Sequence, residues 1–333
     1  MLTLERVDLD DCDWDRMDTL PDRVVFQTRE WLEFVARTQG AEPIVAAVVR
    51  DKEVVGYFTG LIVRRFGLRI LGSPFPGWTT QWMGFNLAVG TDPRAAAHAL
   101  ERFAFGSLGC VHLELRDRTL PHEELIRLGF EPAPMLTFEL DLSAGEDELF
   151  ARMSSACRRA IRKGGRVGVT VEEASAAGFA DEYYAQLQDV FAKQGLRPTY
   201  GVDRVRELIR CVHPTGRLLL VRAIGPEGER IATGIFPAMN GTAYFWGGAS
   251  WRSHQILRPN EAIFWFAMRY WKARGMSVMD MGGGGDYKRR YGPRELRVPV
   301  LRKSRHPLLG RLRDAGGTAL RWHATRLGRR DGG

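Results

Sequence analysis

Short apolar runs, separated by turn residues, recur twice along the chain in the same order. In the first stretch, residues 43–50 read as a buried strand, Asp51, Lys52 and Glu53 as a tight turn, 54–62 as the returning strand and 68–73 as a third. Asp92 and Pro93 then open a helix to about Phe105, and residues 111–115 form a closing strand. In the second stretch, residues 217–222, 231–236 and 242–247 are the three strands, with a turn at 225–228. Pro259 and Asn260 open a helix to Ala273, and 276–280 close the unit. The repeated order predicts an α/β (α+β) protein of two tandem units, each a mixed, mostly antiparallel sheet flanked by helices. A short helix at 124–128 and a strand at 136–140 end the first half, and a helix over about 146–163 begins the second. The expected division is therefore 1–145, 146–303, and a tail over 304–333.

Composition supports this reading and narrows the chemistry. The chain has 333 residues, 44% hydrophobic and 26% charged, which is ample for two cores. The N-terminus lacks the basic start and apolar stretch of a signal peptide, and no apolar run approaches the roughly 18 residues of a membrane span. A cytoplasmic protein is expected. The four cysteines are scattered, and no histidine spacing matches a metal-binding motif, so no metal is assigned. Most of the net charge of +8 lies in the tail, where nine Lys or Arg from Arg302 onward face only Asp314 and Asp331. Leu308, Leu312, Ala315, Ala319 and Trp322 fall at helical spacing there, so the tail reads as a basic amphipathic arm for phosphates or an anionic membrane surface.

Two patches carry candidate chemistry. Gly282, Gly283, Gly284 and Gly285 directly follow the last strand of the second unit and precede Asp286, Tyr287 and Lys288. Residues without Cβ let backbone approach a ligand, so Gly283 and Gly284 are candidate binding positions. A cation beside such a turn can meet the oxyanion of acyl transfer. The run is neither a dinucleotide fingerprint nor a phosphate-binding P-loop, because position 287 is Tyr and no GxxxxGK[ST] occurs. Asp280, Asp286 and Glu261 are the candidate general bases, and Trp251, in a polar loop, is the candidate pocket aromatic. The second patch holds Arg152, Arg158, Arg159, Arg162, Lys163 and Arg166 with no acid between Glu148 and Glu172. Arg158, Arg159 and Arg162 read as phosphate contacts, with a solvated basic helix face as the simpler alternative.

The ordered set Arg158-Arg159-Ala160-Ile161-Arg162-Lys163, Gly168 before an extended Val-Thr-Val-Glu, Gly195-Leu196-Arg197-Pro198, Trp246-Gly247-Gly248-Ala249 and Arg258-Pro259-Asn260 resembles the Fem family of aminoacyl transferases and Fem-like proteins with a GNAT-type acetyltransferase domain. The resemblance covers residues 149–292. It implies two GNAT-like domains and transfer of an amino acid from aminoacyl-tRNA to an amine of a peptidoglycan or other cell-envelope precursor, or of a small molecule. It also implies a role for Lys288 at the oxyanion, for Tyr287 in the pocket and for Arg258 in substrate binding. Arg290 departs from the pattern, since a glycine is usual there. Aminoacyl-tRNA would be a donor substrate, with no separate cofactor. Acyl-CoA-dependent N-acylation is the alternative, weakened because residues 249–260 and 89–94 lack a [QR]xxGx[GA] turn. A GNAT-like protein without catalysis, serving polysaccharide or envelope assembly, is the third possibility.

Overall fold

A computed structural model describes residues 1–118, 120, 122–192, 195–306 and 310. In chain order its first elements are β1 (Leu2–Val7), α1 (Trp14–Asp18), α2 (Arg29–Gln39), β2 (Glu42–Arg50), β3 (Glu53–Arg65), β4 (Leu68–Ser73), β5 (Gly84–Leu87), α3 (Pro93–Arg102), β6 (His112–Leu115) and α4 (His122–Arg127). There follow β7 (Glu131–Asp141), α5 (Glu146–Arg152), α6 (Ser155–Arg166), β8 (Thr170–Glu173), α7 (Phe179–Ala192) and α8 (Val202–Val212). The last are β9 (Leu218–Ile224), β10 (Arg230–Met239), β11 (Thr242–Tyr244), β12 (Gly247–Ser250), α9 (Pro259–Ala273), β13 (Val278–Asp280) and β14 (Arg294–Ser304). The tail from residue 311 lies outside the described residues. Its expected beginning moves, because Ser304 ends β14, and Arg302 and Lys303 are paired with Glu114 and Glu101.

Two compact units form, and each repeats one strand plan. In the first, the order is β1-β2-β3-β4-β6 with β5 beside β3. Neighbours run antiparallel except for the parallel pair β4/β6. In the second, β8-β9-β10-β11-β13 with β12 beside β10 has the same plan, and β11/β13 is the parallel pair. The mixed, mostly antiparallel architecture read from the apolar runs is therefore present in both halves.

The division between units differs from the expected cut at 145. The first unit holds residues 1–12, 41–133 and the chain from 299, and the second holds 13–40 and 134–298. Strand exchange explains most of this. β7 follows the first unit in sequence but pairs antiparallel with β13 of the second, while the end of β14 pairs with β6 of the first. The pattern reading assigns no element to residues 13–40, yet α2 is well specified. Thr28 Oγ1 accepts from the Trp31 amide, Gly40 ends the helix in the left-handed conformation, and Trp31, Leu32, Phe34 and Val35 are buried. This helix packs on α8, and Phe26 meets Trp31 and Tyr244 of β11 edge-on at 4.7 and 4.6 Å.

The expected helix over 146–163 is two helices. Met153 is extended, and Ser154 accepts from the Cys157 amide at 3.2 Å, so the chain restarts as α6 on a new axis. Among the described residues no helix is long and apolar enough to cross a membrane.

The packing of 13–40 predicts that Phe26→Ala costs the second unit roughly 3–5 kcal/mol, the usual loss for a buried aromatic. Urea unfolding followed by tryptophan fluorescence measures it, and an unchanged midpoint would place this segment outside the core.

Candidate active site at a fork between two strands

The second unit opens a fork where β11 and β13 part. Their parallel ladder covers only residues 242–244 and 278–280, and its last rung is the Phe245 amide donating to the Asp280 carbonyl at 2.9 Å. Beyond that rung one chain bends through Trp246 into β12 and stays on β10. The other leaves as the glycine run and a 3-10 turn over Asp286–Tyr291. The N-terminal end of α9 reaches the fork.

A cavity of about 490 Å³ fills the fork. Phe245, Gly248, Ala249 and Ser250 form one wall, Tyr287, Arg290 and Tyr291 the other, and Asn260, Glu261, Ile263 and Phe264 of α9 the base. Phe264 stands 4.6 Å from Phe245 and 4.9 Å from Tyr291 between ring centres, so a cluster of rings shares the lining with polar side chains such as Thr233, Ser250, Gln255 and Asn260. A second, more open cleft of about 690 Å³ shares Arg258, Glu261, Tyr287 and Arg290 with it. Its remaining lining is Ala156, Arg159, Ala160 and Lys163 of α6, with Asp286. The two alanines recur at one helical turn and leave room between the flanking cations. Among the described residues Arg159, Lys163 and Arg258 have no acidic partner, whereas Arg290 Nη1 donates to Glu261 Oε1 at 2.7 Å. Glu261 is buried, at 6% exposure.

The sequence-selected residues divide sharply. Tyr287 and Arg258 line both spaces, and Asp286 and Arg159 line the cleft. Tyr287 is 43% exposed as a residue, and desolvation around its hydroxyl holds the phenol above its ordinary value, so it remains a donor. Asp286 bonds Arg289 in an exposed pair, which ties the carboxylate to a neighbouring guanidinium. Arg162 stacks over Phe150 at 5.1 Å and lines a separate shallow groove with Arg159 and Arg166. Arg158 is turned inward, donating to the carbonyls of Ala151 and Met153 at 2.7 and 2.5 Å, which bridges α5 to α6. Trp251 lines neither space; its amide donates to Ile231 and its residue precedes the 3-10 turn Arg252–Leu257. Gly283 is needed for packing, since a Cβ there would lie 2.7 Å from the Leu136 carbonyl oxygen. Gly284 has open space around it but φ of +74°, a conformation that favours glycine.

Lys288 differs most from its expected place. It is buried, lines neither space, and its Nζ donates to the carbonyls of Met281, Gly282 and Gly283 at 2.6, 3.3 and 2.8 Å. An ammonium has three hydrogens, and here all three are used. Burial pushes its pKa down to about 8, with the Asp280 carboxylate opposing. Asp280 is itself fully buried and accepts from Thr137 Oγ1 and the Gly282 amide, both at 2.8 Å. Both residues hold the glycine turn in shape. Pattern reading did not join Arg290 to Glu261, because the two stand 29 positions apart and on different elements.

Residues 151–291 match the family described as Acetyltransferase (GNAT) domain. No curated protein matches the chain. Among solved structures, FemX is similar with a TM-score of 0.74 at 14% identity, covering 92% of this chain and 99% of that one. A tandem GNAT protein from the clavulanic acid biosynthesis pathway has a TM-score of 0.54 at 13% identity, covering 91% and 98%. L-PGS from Bacillus licheniformis has a TM-score of 0.51 at 13% identity, covering 84% and 93%. These likenesses show the fold, a tandem GNAT-type arrangement.

The Lys288 clamp yields a prediction with a definite sign. Lys288→Met leaves buried carbonyls without donors and should destabilise the protein by about 1–3 kcal/mol. In the folded protein the ammonium loses its proton near pH 8, and in the unfolded chain near its ordinary 10.5. Between these values the folded form holds fewer protons, so raising the pH favours it. The gap in thermal midpoint between wild type and Lys288→Met should therefore widen from about pH 8 to 10.5. A gap constant across that window would refute the burial of this ammonium.

Proposed function

We propose that the chain is an acyltransferase that moves an amino acid from aminoacyl-tRNA to an amine of a cell-envelope precursor or small molecule. The observation that carries this reading is the pairing of an aromatic cavity at the strand fork with a cation-walled cleft through four shared residues. An acyl group needs a confined, water-poor place, and a polyanionic carrier needs cations outside it. The half-open fork, with Phe245, Phe264, Tyr287 and Tyr291 in its lining, gives partial shelter for the first, and Arg159, Lys163 and Arg258 supply the second. The acceptor amine attacks the ester carbonyl. A C–N bond forms, the bond from carbon to the ribose oxygen breaks, and that oxygen takes up a proton as the amine loses one.

Tyr287 stands at the junction of the two spaces and is the protein hydroxyl best placed to donate to the developing oxyanion. Lys288 acts in this proposal as a positioning residue, because it holds the turn that presents Tyr287. The GNAT domain match and the fold shared with FemX and L-PGS support acyl chemistry in general. The acyl-CoA reading has one observation against it beyond the missing turn motif. The first turn of α9, where backbone N–H groups would hold a pyrophosphate, carries the Glu261 carboxylate, a like charge.

Incubation of the purified chain with labelled aminoacyl-tRNAs, and separately with acetyl-CoA, tests the donor. Consumption of acetyl-CoA alone would overturn the proposal. Arg159→Gln and Arg258→Gln should each weaken charged-tRNA binding and lower the salt dependence of log Kd by about one, as expected for loss of one phosphate contact. Arg158→Gln, at a residue that lines neither space and whose Nη1 is tied to carbonyls at the end of α5, should change that slope less than either.

A further inference from the structure

Glu261 is the acidic residue lining the aromatic fork cavity, and it is held there at the first turn of a 15-residue helix. One carboxylate oxygen takes the Arg290 guanidinium at 2.7 Å, and among the described residues nothing bonds the other. The carboxylate is buried at 6% exposure, while the Arg290 side chain remains 41% exposed and lines both the cavity and the outer cleft. A buried carboxylate with a partner that can swing out to solvent is poised to change partners. The pair costs desolvation and contributes little net stability, so packing alone does not explain its presence.

We infer that Glu261 reads the α-ammonium of an aminoacyl group, exchanging its bond to Arg290 for one to that ammonium, and thereby selects aminoacyl over unsubstituted acyl groups. This rests on the aminoacyl reading given above. Charge balances throughout the exchange. With the cavity empty, Arg290 neutralises Glu261; with an aminoacyl group inside, the ligand ammonium does so, and Arg290 turns into the cleft, where a carrier phosphate can take it. Phe245, Phe264, Tyr287 and Tyr291 share the cavity lining with Glu261 and supply apolar surface for the rest of the aminoacyl group, while the rings of Phe245 and Tyr287 already lie 5.9 and 6.0 Å from the Lys288 ammonium. An acyl group without the ammonium would leave the Glu261–Arg290 pair closed across the junction of the two spaces.

The test uses two probes of nearly equal size, L-alaninamide and propionamide, which differ in the ammonium. Ligand-observed NMR titration with the full chain at about pH 6.5, where the amine is protonated, measures both affinities. Wild type should bind alaninamide at least about tenfold more tightly than propionamide, the worth of one charged hydrogen bond. Glu261→Gln should abolish the preference. Arg290→Gln, which frees the carboxylate, should increase it, and keeps the test informative if the first variant folds poorly. Equal binding of the two probes by wild type, including no binding of either, or a preference retained in Glu261→Gln, would overturn the inference. A Glu261-dependent preference in a protein that consumes no aminoacyl-tRNA would leave this subsite standing and remove the donor assignment. Consumption of aminoacyl-tRNA without any preference would do the reverse.

Discussion

The rung between the Phe245 amide and the Asp280 carbonyl is the point on which the site depends, because both strands lose their common partner immediately beyond it. Peptide groups that leave a ladder inside a protein must find other partners. On the β12 side the pairing with β10 continues. On the other side, the Lys288 ammonium takes three successive carbonyls, and the Asp280 carboxylate takes the Gly282 amide. These bonds replace part of the lost ladder on the open side of the fork, and the cavity occupies the space that a longer ladder would have closed.

Charge around the fork is graded. The outer cleft carries Arg159, Lys163 and Arg258, which have no acidic partner among the described residues, beside Asp286; the junction carries one matched pair; and the interior mixes four rings with polar side chains. This order suits a ligand with a polyanionic end and a compact end, since each part meets an environment that stabilises it. It also separates two kinds of arginine within α6. Arg158 Nη1 is tied to carbonyls at the end of α5, while Arg159, its neighbour in sequence, lines the cleft.

Much of the fold was legible from periodicity. The strand–turn–strand runs at 43–62 and 217–236 are apolar, bounded by turn residues, and local in their pairing, so pattern and structure agree. Exchange of β7 and β14 was not legible, because a strand's partner depends on contacts distant in sequence and leaves no mark on its own pattern. The site was half legible. Tyr287, Asp286, Arg258 and Arg159, singled out by glycines and charge runs, line the cleft or the cavity. Lys288, Arg158 and Trp251 line neither space, because composition shows that a polar or aromatic side chain exists, while its direction is set by what its neighbours leave unsatisfied. Glu261 was visible as a carboxylate, but its pairing with Arg290 needed three dimensions.

The exchange of strands has a consequence for how the chain acquires its shape. Each unit draws its seventh strand from the other half of the sequence, and the second unit also takes in residues 13–40, whose partner α8 begins at Val202. During synthesis, α2 must wait for more than half the chain before its docking surface exists, and β6 must wait for β14. Contacts so distant along the chain are slow to form. The two halves are therefore not independent folding modules, although their strand plans match. A nascent chain keeps an open sheet edge at β6 until nearly its last described residues, and such an edge invites pairing with other chains.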